Sequence, residues 1–213
     1  MKIAIVQFDN RPLEQLGEML FLAQRNSAYA ARRGYEHHLI RQVHFDLPVY
    51  WQKPPICRRF LELGYDLVVW LDTDAVIHDL DRRLEDVFAG PETFFAAGDN
   101  PHWASPFNAG VFCVKGPGGL ELMARWTGIF PRERWTRTET AWICREEWAG
   151  PAFEQGAFVD GLMPELTAAG AMKVLDWRVL QAPFPMPGAF TLHFAGPFKA
   201  NLPAYLTLID GET

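Results

Sequence analysis

Three features of the sequence predict an α/β fold built on a mostly parallel sheet. Apolar, β-branched runs alternate along the chain with stretches of helical spacing. Residues 67–71 (LVVWL) form an unbroken apolar run just after Gly64, the pattern of a strand buried on both faces of a parallel sheet. The chain also opens strand–helix–strand, which implies a right-handed βαβ unit. At 213 residues it is expected to form one domain, residues 1–213, with a sizeable core.

The elements follow in order. Residues 2–8 (KIAIVQF) read as the first strand and residues 13–33 as a helix, with apolar positions at Leu13, Leu16, Leu20 and Ala23. Gly34 closes the helix, and residues 35–43 read as a second strand. Residues 44–55 form an aromatic-rich loop. Pro54 and Pro55 suit the first turn of a short helix over 56–63. After the apolar strand come a short polar helix (80–88), a strand (93–97), a loop (101–106) and a strand (107–115). Residues 116–119 read as a turn and 120–130 as an amphipathic helix. The charged, tryptophan-rich stretch 131–150 is a candidate mobile insertion or lid. A helix over 151–165, a strand over 171–180, a proline-rich connector (183–188) and a last strand with a turn (190–199) complete the chain.

The stretch at 66–79 (DLVVWLDTDAVIHD) organises the rest. Burying Asp72 and Asp74 inside a strand without a positive partner would be prohibitive. The strand is therefore expected to stop at Leu71 and present both carboxylates at its carboxyl edge, where ligands gather in open α/β sheets. Residues two apart in extended chain point to the same side, so both can face one hard cation. Asp9 and Asn10 end the first strand on the same rim; as turn formers opening a helix they also have an ordinary structural explanation. Asn108-Ala109-Gly110 is unusual strand content: glycine there suggests a close approach of backbone or ligand, and the amide both donates and accepts.

Composition narrows the function classes. A net charge of −6 with no basic tract argues against a nucleic-acid partner. Cys57, Cys113 and Cys144 are scattered and odd in number, which points to free thiols in a reducing compartment rather than to a disulfide framework or zinc site. The chain starts directly with a strand and holds no apolar run near the ~20 residues of a membrane helix. The expectation is a soluble, cytoplasmic protein, with peripheral membrane contact left open.

The C-terminal turn from His193 to Lys199 has the pattern H-x-x-G-x-x-K, with Gly196 at its centre. Together with D-x-D, N-A-G and the pair Glu154-Gln155, it resembles the retaining nucleotide-sugar glycosyltransferases of families 8 and 34, which include glycogenin, the lipooligosaccharide galactosyltransferases and the galactosyl, mannosyl and xylosyl transferases. WQKPP followed by VVWLDTDAVI is closer to family 34, and H-x-x-G-x-x-K to family 8. The resemblance runs from Asp9 to Lys199. It implies a GT-A fold, a Rossmann-like central sheet flanked by helices, and a divalent cation, Mn²⁺ or alternatively Mg²⁺, on Asp72, Asp74 and His193. Two carboxylates and an imidazole are sound ligands for such an ion and leave room for phosphate oxygens; mixed N/O ligation favours Mn²⁺.

The same resemblance places Asp9 and Asn10 at the nucleobase and ribose, Lys53 at the sugar or phosphate, and Lys199 with the Gly196 backbone at the diphosphate. Asn108, Glu154 and Gln155 fall at the donor-sugar hydroxyls, with Asp99 as a further pocket residue. Gln155 sits at the family position beneath the anomeric carbon, and Glu154 is the rival nucleophile. Glu154 stands where aspartate is more usual, and Ala200-Asn201 where proline and tryptophan are typical, which leaves the acceptor open. The implied activity is transfer of a sugar from a nucleotide sugar, UDP-linked by expectation, to a glycan or other hydroxyl acceptor, with Trp51, Trp103, Trp135 and Trp142 as stacking residues. Two alternatives fit parts of the pattern. In a haloacid-dehalogenase-type phosphatase, Asp72 would be the nucleophile and Asp74 the acid. A non-catalytic module would bind nucleotide sugars without turnover.

Overall fold

The computed structural model describes residues 1–42, 45–103 and 105–210. Its centre is a six-stranded sheet in the order β2-β1-β3-β6-β5-β9. β1 (Ile3–Phe8) pairs in parallel with β2 (Glu36–Ile40) and with β3 (Leu67–Leu71), and β5 (Phe94–Ala97) in parallel with β9 (Met172–Leu175). β6 (Val111–Lys115) alone runs the other way, antiparallel to both β3 and β5. The sheet is thus mostly parallel, as its apolar strands imply.

Every residue of β3 is buried because the sheet is covered on both sides. Alternate residues separate cleanly, as a strand's period of two requires. Val68 and Trp70 join Phe94, Phe112 and Val114 under α3 (Lys53–Glu62) and α5 (Gly116–Gly128). Leu67, Val69 and Leu71 face the opposite side, with Tyr29 and Ala30 of α2 (Met19–Arg33) and with Leu84 and Val87 of α4 (Leu84–Val87).

A second, two-stranded sheet places the functional rim. β4 (Ala75–Ile77) follows β3 directly and pairs antiparallel with β10 (Thr191–His193), so that His193 lies opposite Ala75. Asn26 of α2 clamps β4 from behind: its Nδ2 donates to the Ala75 carbonyl at 3.1 Å, and its Oδ1 accepts from the Ile77 N–H at 2.8 Å. α9 (Leu202–Asp210) closes this corner, with Leu202 and Tyr205 against Leu22, Val76 and Leu192.

Several boundaries differ from the sequence expectation for identifiable reasons. The first long helix breaks into α1 (Leu13–Leu16) and α2 because Gly17 takes φ 51°, a left-handed conformation natural to glycine. Gly34 caps α2 as expected, its N–H reaching the Ala30 and Ala31 carbonyls. The second strand spans only β2; Val43, the expected strand end, and His44, the expected loop start, lie outside the described residues. α3 begins at Lys53 rather than Ile56, since both prolines sit in its first turn. The expected turn at 116–119 is the first turn of α5.

Residues 108–110 precede β6 instead of belonging to it, and only α4 of the expected helix 80–88 forms. The expected strand over 171–180 stops at Leu175. Asp176 accepts a hydrogen bond from the Arg178 N–H and starts α8 (Trp177–Leu180); an N-capping aspartate outweighs the β-branched residue that follows. The helix over 151–165 is two helices, α6 (Glu154–Gly161) and α7 (Met163–Ala168). Within 131–150, β7 (Thr136–Arg137) and β8 (Trp142–Ile143) form a small hairpin, while Trp135 packs into the core. No helix of the described residues is long and apolar enough to cross a membrane.

Candidate active site

Topology brings the site together at one rim. β1 and β3 are parallel, so Asp9 and Asp72 leave the sheet on the same edge. β6 is reversed, so the residues before it, Asn108 to Gly110, return to that edge, where Leu71 pairs with Val111 and the Asp72 N–H donates to the Gly110 carbonyl at 2.7 Å. The β4–β10 register then sets His193 beside Asp74, and the Phe194 N–H donates to the Asp74 carbonyl at 2.9 Å. The result is a cleft of about 1000 Å³. Its walls include Asp9, Asn10, Lys53, Asp72, Asp74, Asp99, Asn108, Glu154, Gln155, His193, Gly196 and Lys199, so the metal-ligand, donor and catalytic candidates read from the sequence meet there.

Ligand atoms of Asp72, Asp74 and His193 lie within 4.8 Å of one another. His193 Nε2 is 3.4 Å from Asp74 Oδ1, and Lys199 Nζ is 3.1 Å from Asp74 Oδ2. Burial pushes the Asp74 carboxyl up, but His193 and then Lys199 outweigh it and hold it well below the usual carboxylate range. Burial pulls His193 down, and Asp74 then Asp72 lift it above the ordinary imidazole value. On the far side of the ring, Nδ1 lies 2.7 Å from Gln181 Oε1. Gln181 directs its own Nε2 at the Asn108 and Val111 carbonyls, so Oε1 must face the imidazole. That fixes the proton of the neutral ring on Nδ1 and leaves Nε2 as a lone pair aimed at Asp74.

Gly110 makes the approach of this ring possible. A Cβ built there would meet His193 Cε1 at 2.1 Å and Nε2 at 2.7 Å. Gly110→Ala is therefore expected to displace the imidazole from Asp74 while leaving the sheet intact. Loss of any Mn²⁺-induced rise in melting temperature, with an unchanged far-ultraviolet spectrum, would report it; an undiminished Mn²⁺ effect would count against the ring's placement.

Lys53 lines the cleft as an ion-paired residue. It is 7% exposed, at the start of α3, with Nζ 3.0 Å from Asp72 Oδ1, 3.1 Å from Glu154 Oε1 and 3.1 Å from the Ala109 carbonyl. These partners take all three ammonium hydrogens. Burial lowers the Lys53 ammonium, but Asp72 and Glu154 outweigh it and hold it above the ordinary lysine range. Glu154 is pushed up by burial, against Lys53. Asp72 also accepts a 2.8 Å bond from Trp70 Nε1. Lys53 thus holds two carboxylates together at the wall of the cleft.

The other predicted residues are placed as follows. Gln155 Oε1 accepts from the Ala109 N–H at 2.9 Å, and Asn108 Oδ1 from the Gly110 N–H at 2.7 Å, so both side chains hold the turn before β6. Asp99, raised by burial against a hydrogen bond from Asn108, lies beside them. Asp9 is buried, with its carboxylate accepting from the Arg11 guanidinium and, at 2.8 Å, from Thr73 Oγ1. Burial raises Asp9, and Arg11 brings it below its usual value overall. Beyond Asp9, the groups this end of the cleft offers are Asn10 and the half-exposed Arg11.

Of the tryptophans proposed to stack, Trp51 and Trp135 are core residues, both donating to the Ala152 carbonyl, and Trp142 is half-buried outside the cleft. Only Trp103 lines it. Sequence reasoning missed Arg11, Trp70, Gln181 and Trp148. The two-residue spacing from Asp9 and Asp72 was the available signal for the first two.

No protein-family model matches the sequence, and no curated protein matches it. Solved structures share its fold. A glycosyltransferase involved in glycosylation of the major capsid of the virus PBCV-1 superposes with a TM-score of 0.75 over 98% of this chain and 100% of its own, at 16% identity. The glycosyltransferase GlyE of Streptococcus pneumoniae TIGR4 gives 0.57 over 97% of this chain and 64% of its own, at 12% identity. A Drosophila β1,4-galactosyltransferase 7 variant, in complex with manganese, UDP-Gal and xylobiose, gives 0.53 over 94% and 74%, at 14% identity. The fold is therefore the GT-A fold of glycosyltransferases.

Proposed function

We propose that this protein is a metal-dependent, retaining glycosyltransferase moving a hexose or pentose from a UDP-sugar to a hydroxyl acceptor. The observation that carries the reading is the convergence of Asp72 and Asp74 from mid-chain with His193 and Lys199 from the C-terminal turn at one rim of the sheet. These residues fit a divalent cation by their chemistry: two carboxylates and a neutral imidazole whose free Nε2 is already oriented by Gln181. Bound there, the ion would supply Lewis-acid stabilisation of the departing diphosphate, worth several kcal/mol. Its identity, Mn²⁺ or Mg²⁺, is part of the proposal.

The chain's own residues do the rest. Lys199, half-exposed beside Asp74, places a point charge for the diphosphate. Asn10 and Arg11 take the nucleoside end, with Asp9 orienting Arg11. Asn108 and Asp99 receive donor-sugar hydroxyls. For retention, the bond from the anomeric carbon to the phosphate oxygen breaks with its electron pair leaving on UDP. The acceptor oxygen adds to the same face, and its proton passes to the departing phosphate. Two observations support this front-face course over a covalent intermediate. Glu154 is buried and ion-paired to Lys53, hence a poor nucleophile, while Gln155 Oε1 keeps a second lone pair for an oxocarbenium-like centre. A phosphatase reading leaves His193 and Lys199 without a role.

Metal-dependent hydrolysis of UDP-sugars without acceptor, beside a thermal-shift screen with UDP, GDP and Mn²⁺, tests the proposal. Stabilisation by UDP with Mn²⁺ but no hydrolysis would make the protein a binding module; no response to either would end the reading.

The pH dependence has a definite sign. Without metal, His193 has a raised pKa, so its pairing with Asp74 contributes stability that is complete below the unfolded imidazole value and is lost as pH rises through the folded one. Metal needs the neutral ring. The Mn²⁺-induced rise in melting temperature is therefore expected to be small at pH 5.5 and to grow towards pH 8. A shift independent of pH would remove His193 from the ligand set.

A further inference from the structure

We infer that Trp148, Tyr50 and Val49 form the acceptor platform of this cleft, and that the acceptor is a carbohydrate lying with the C–H face of a sugar ring on Trp148. The inference rests on the glycosyltransferase reading and names its second substrate.

Trp148 is 62% exposed, although it lines the same cleft as Asp72 and Asp74, and Val49, also in that lining, is 43% exposed. Large apolar groups left open in the wall of a cleft mark a binding surface. The indole is nevertheless fixed. Its ring centroid lies 4.6 Å from Tyr50 and 4.9 Å from Phe153, both edge-on, and Tyr50 and Phe153 meet at 5.6 Å. Behind Phe153 is Trp135, whose Nε1 shares the Ala152 carbonyl with Trp51. A rigid aromatic of this kind binds at low entropic cost.

The turn that carries Trp148 is seated directly on the helix of Glu154 and Gln155. A Cβ on Gly156 would meet the Gly150 carbonyl oxygen at 2.2 Å and that of Ala149 at 2.5 Å, so glycine is what lets the turn pack there. Ala149 adopts φ 59°, the sole non-glycine residue of positive φ among those described. Such backbone strain in a binding turn persists only where the surroundings impose it.

Tyr50 adds a polar handle. Its hydroxyl has no hydrogen-bond partner among the described residues. Its pKa is raised by burial and then by Glu154, and Tyr50 lines the same cleft as Asp72 and Asp74. An apolar face flanked by a free hydroxyl suits a sugar ring, which offers C–H on its faces and O–H at its edge. Val49 and Tyr50 lie just before α3 and Trp148 just before α6, whereas Asp9 and Arg11 follow β1.

Trp148→Ala and Tyr50→Phe test this, because neither truncation opens the core. Tryptophan fluorescence of the wild type, titrated with xylobiose, cellobiose, lactose and maltose, is expected to show saturable quenching by at least one. That quenching should be lost in Trp148→Ala and weakened in Tyr50→Phe. With that sugar as acceptor, Trp148→Ala should raise the acceptor KM by about tenfold, the loss of one aromatic contact. Acceptor-free hydrolysis of the UDP-sugar should stay within about twofold of wild type, a change too small to signal a lost contact. No saturable binding of any of the four sugars overturns the inference, whether or not UDP-sugar is turned over. So does an equal loss of hydrolysis and transfer in Trp148→Ala, which would place Trp148 at the donor. Absence of hydrolysis in the wild type, with sugar binding retained, would instead defeat the transferase reading.

Discussion

Replacing Asp74 by alanine is expected to lower Mn²⁺-dependent turnover of UDP-sugars by about a thousandfold or more, the rate equivalent of losing several kcal/mol of Lewis-acid stabilisation. Asp74 is the point where the two halves of the site join. Its Oδ1 faces His193, its Oδ2 faces Lys199, and its backbone carbonyl accepts from Phe194. Alanine keeps the backbone bond and removes both charge contacts. The fold should survive, because β4 is held independently by Asn26 and by its pairing with β10. Circular dichroism and acceptor-free hydrolysis measured on one preparation separate the two effects. Full activity in this variant would remove the metal from the reaction.

Lys53→Met carries the second large effect, and it acts on stability. The ammonium lies between Asp72 and Glu154, and Glu154 is almost wholly buried. Removing one partner of a buried ion pair leaves an uncompensated charge, at a cost of about 3–5 kcal/mol. Chemical denaturation should show that loss as a lower midpoint with an unchanged slope. Lys53→Met combined with Glu154→Gln should recover a large part of it, since an amide needs no counter-charge. Equal instability of the single and double variants would show that the loss comes from packing of the lysine stem and not from stranded charge.

What the sequence made legible was local. The end of β3 at Leu71 could be read because two aspartates cannot follow five apolar residues into a core. The turn from His193 to Lys199 was legible as a spaced pattern, although its meeting with Asp74 depends on a β4–β10 pairing more than a hundred residues apart in sequence. The ion pair of Lys53 is not legible in the sequence, because nothing local shows that Glu154, a hundred positions on, lies within 3.1 Å. Gln181 was passed over for a related reason. It follows a stretch whose β-branched residues suggest continued strand, and only the Asp176 cap ends that strand and lets Gln181 reach His193. Trp51 and Trp135 illustrate a general ambiguity: an indole serves core and binding face equally well, and only burial distinguishes them from Trp148.

In the proposed enzyme, residues from the middle and the end of the chain share one divalent ion. Pulsed electron paramagnetic resonance of Mn²⁺ bound in the presence of UDP tests it most directly. One site showing nitrogen modulation from a single imidazole, lost in His193→Ala and with Mn²⁺ binding itself lost in Asp74→Ala, is the predicted result. Mn²⁺ bound without imidazole nitrogen, or with the modulation intact in His193→Ala, would contradict it.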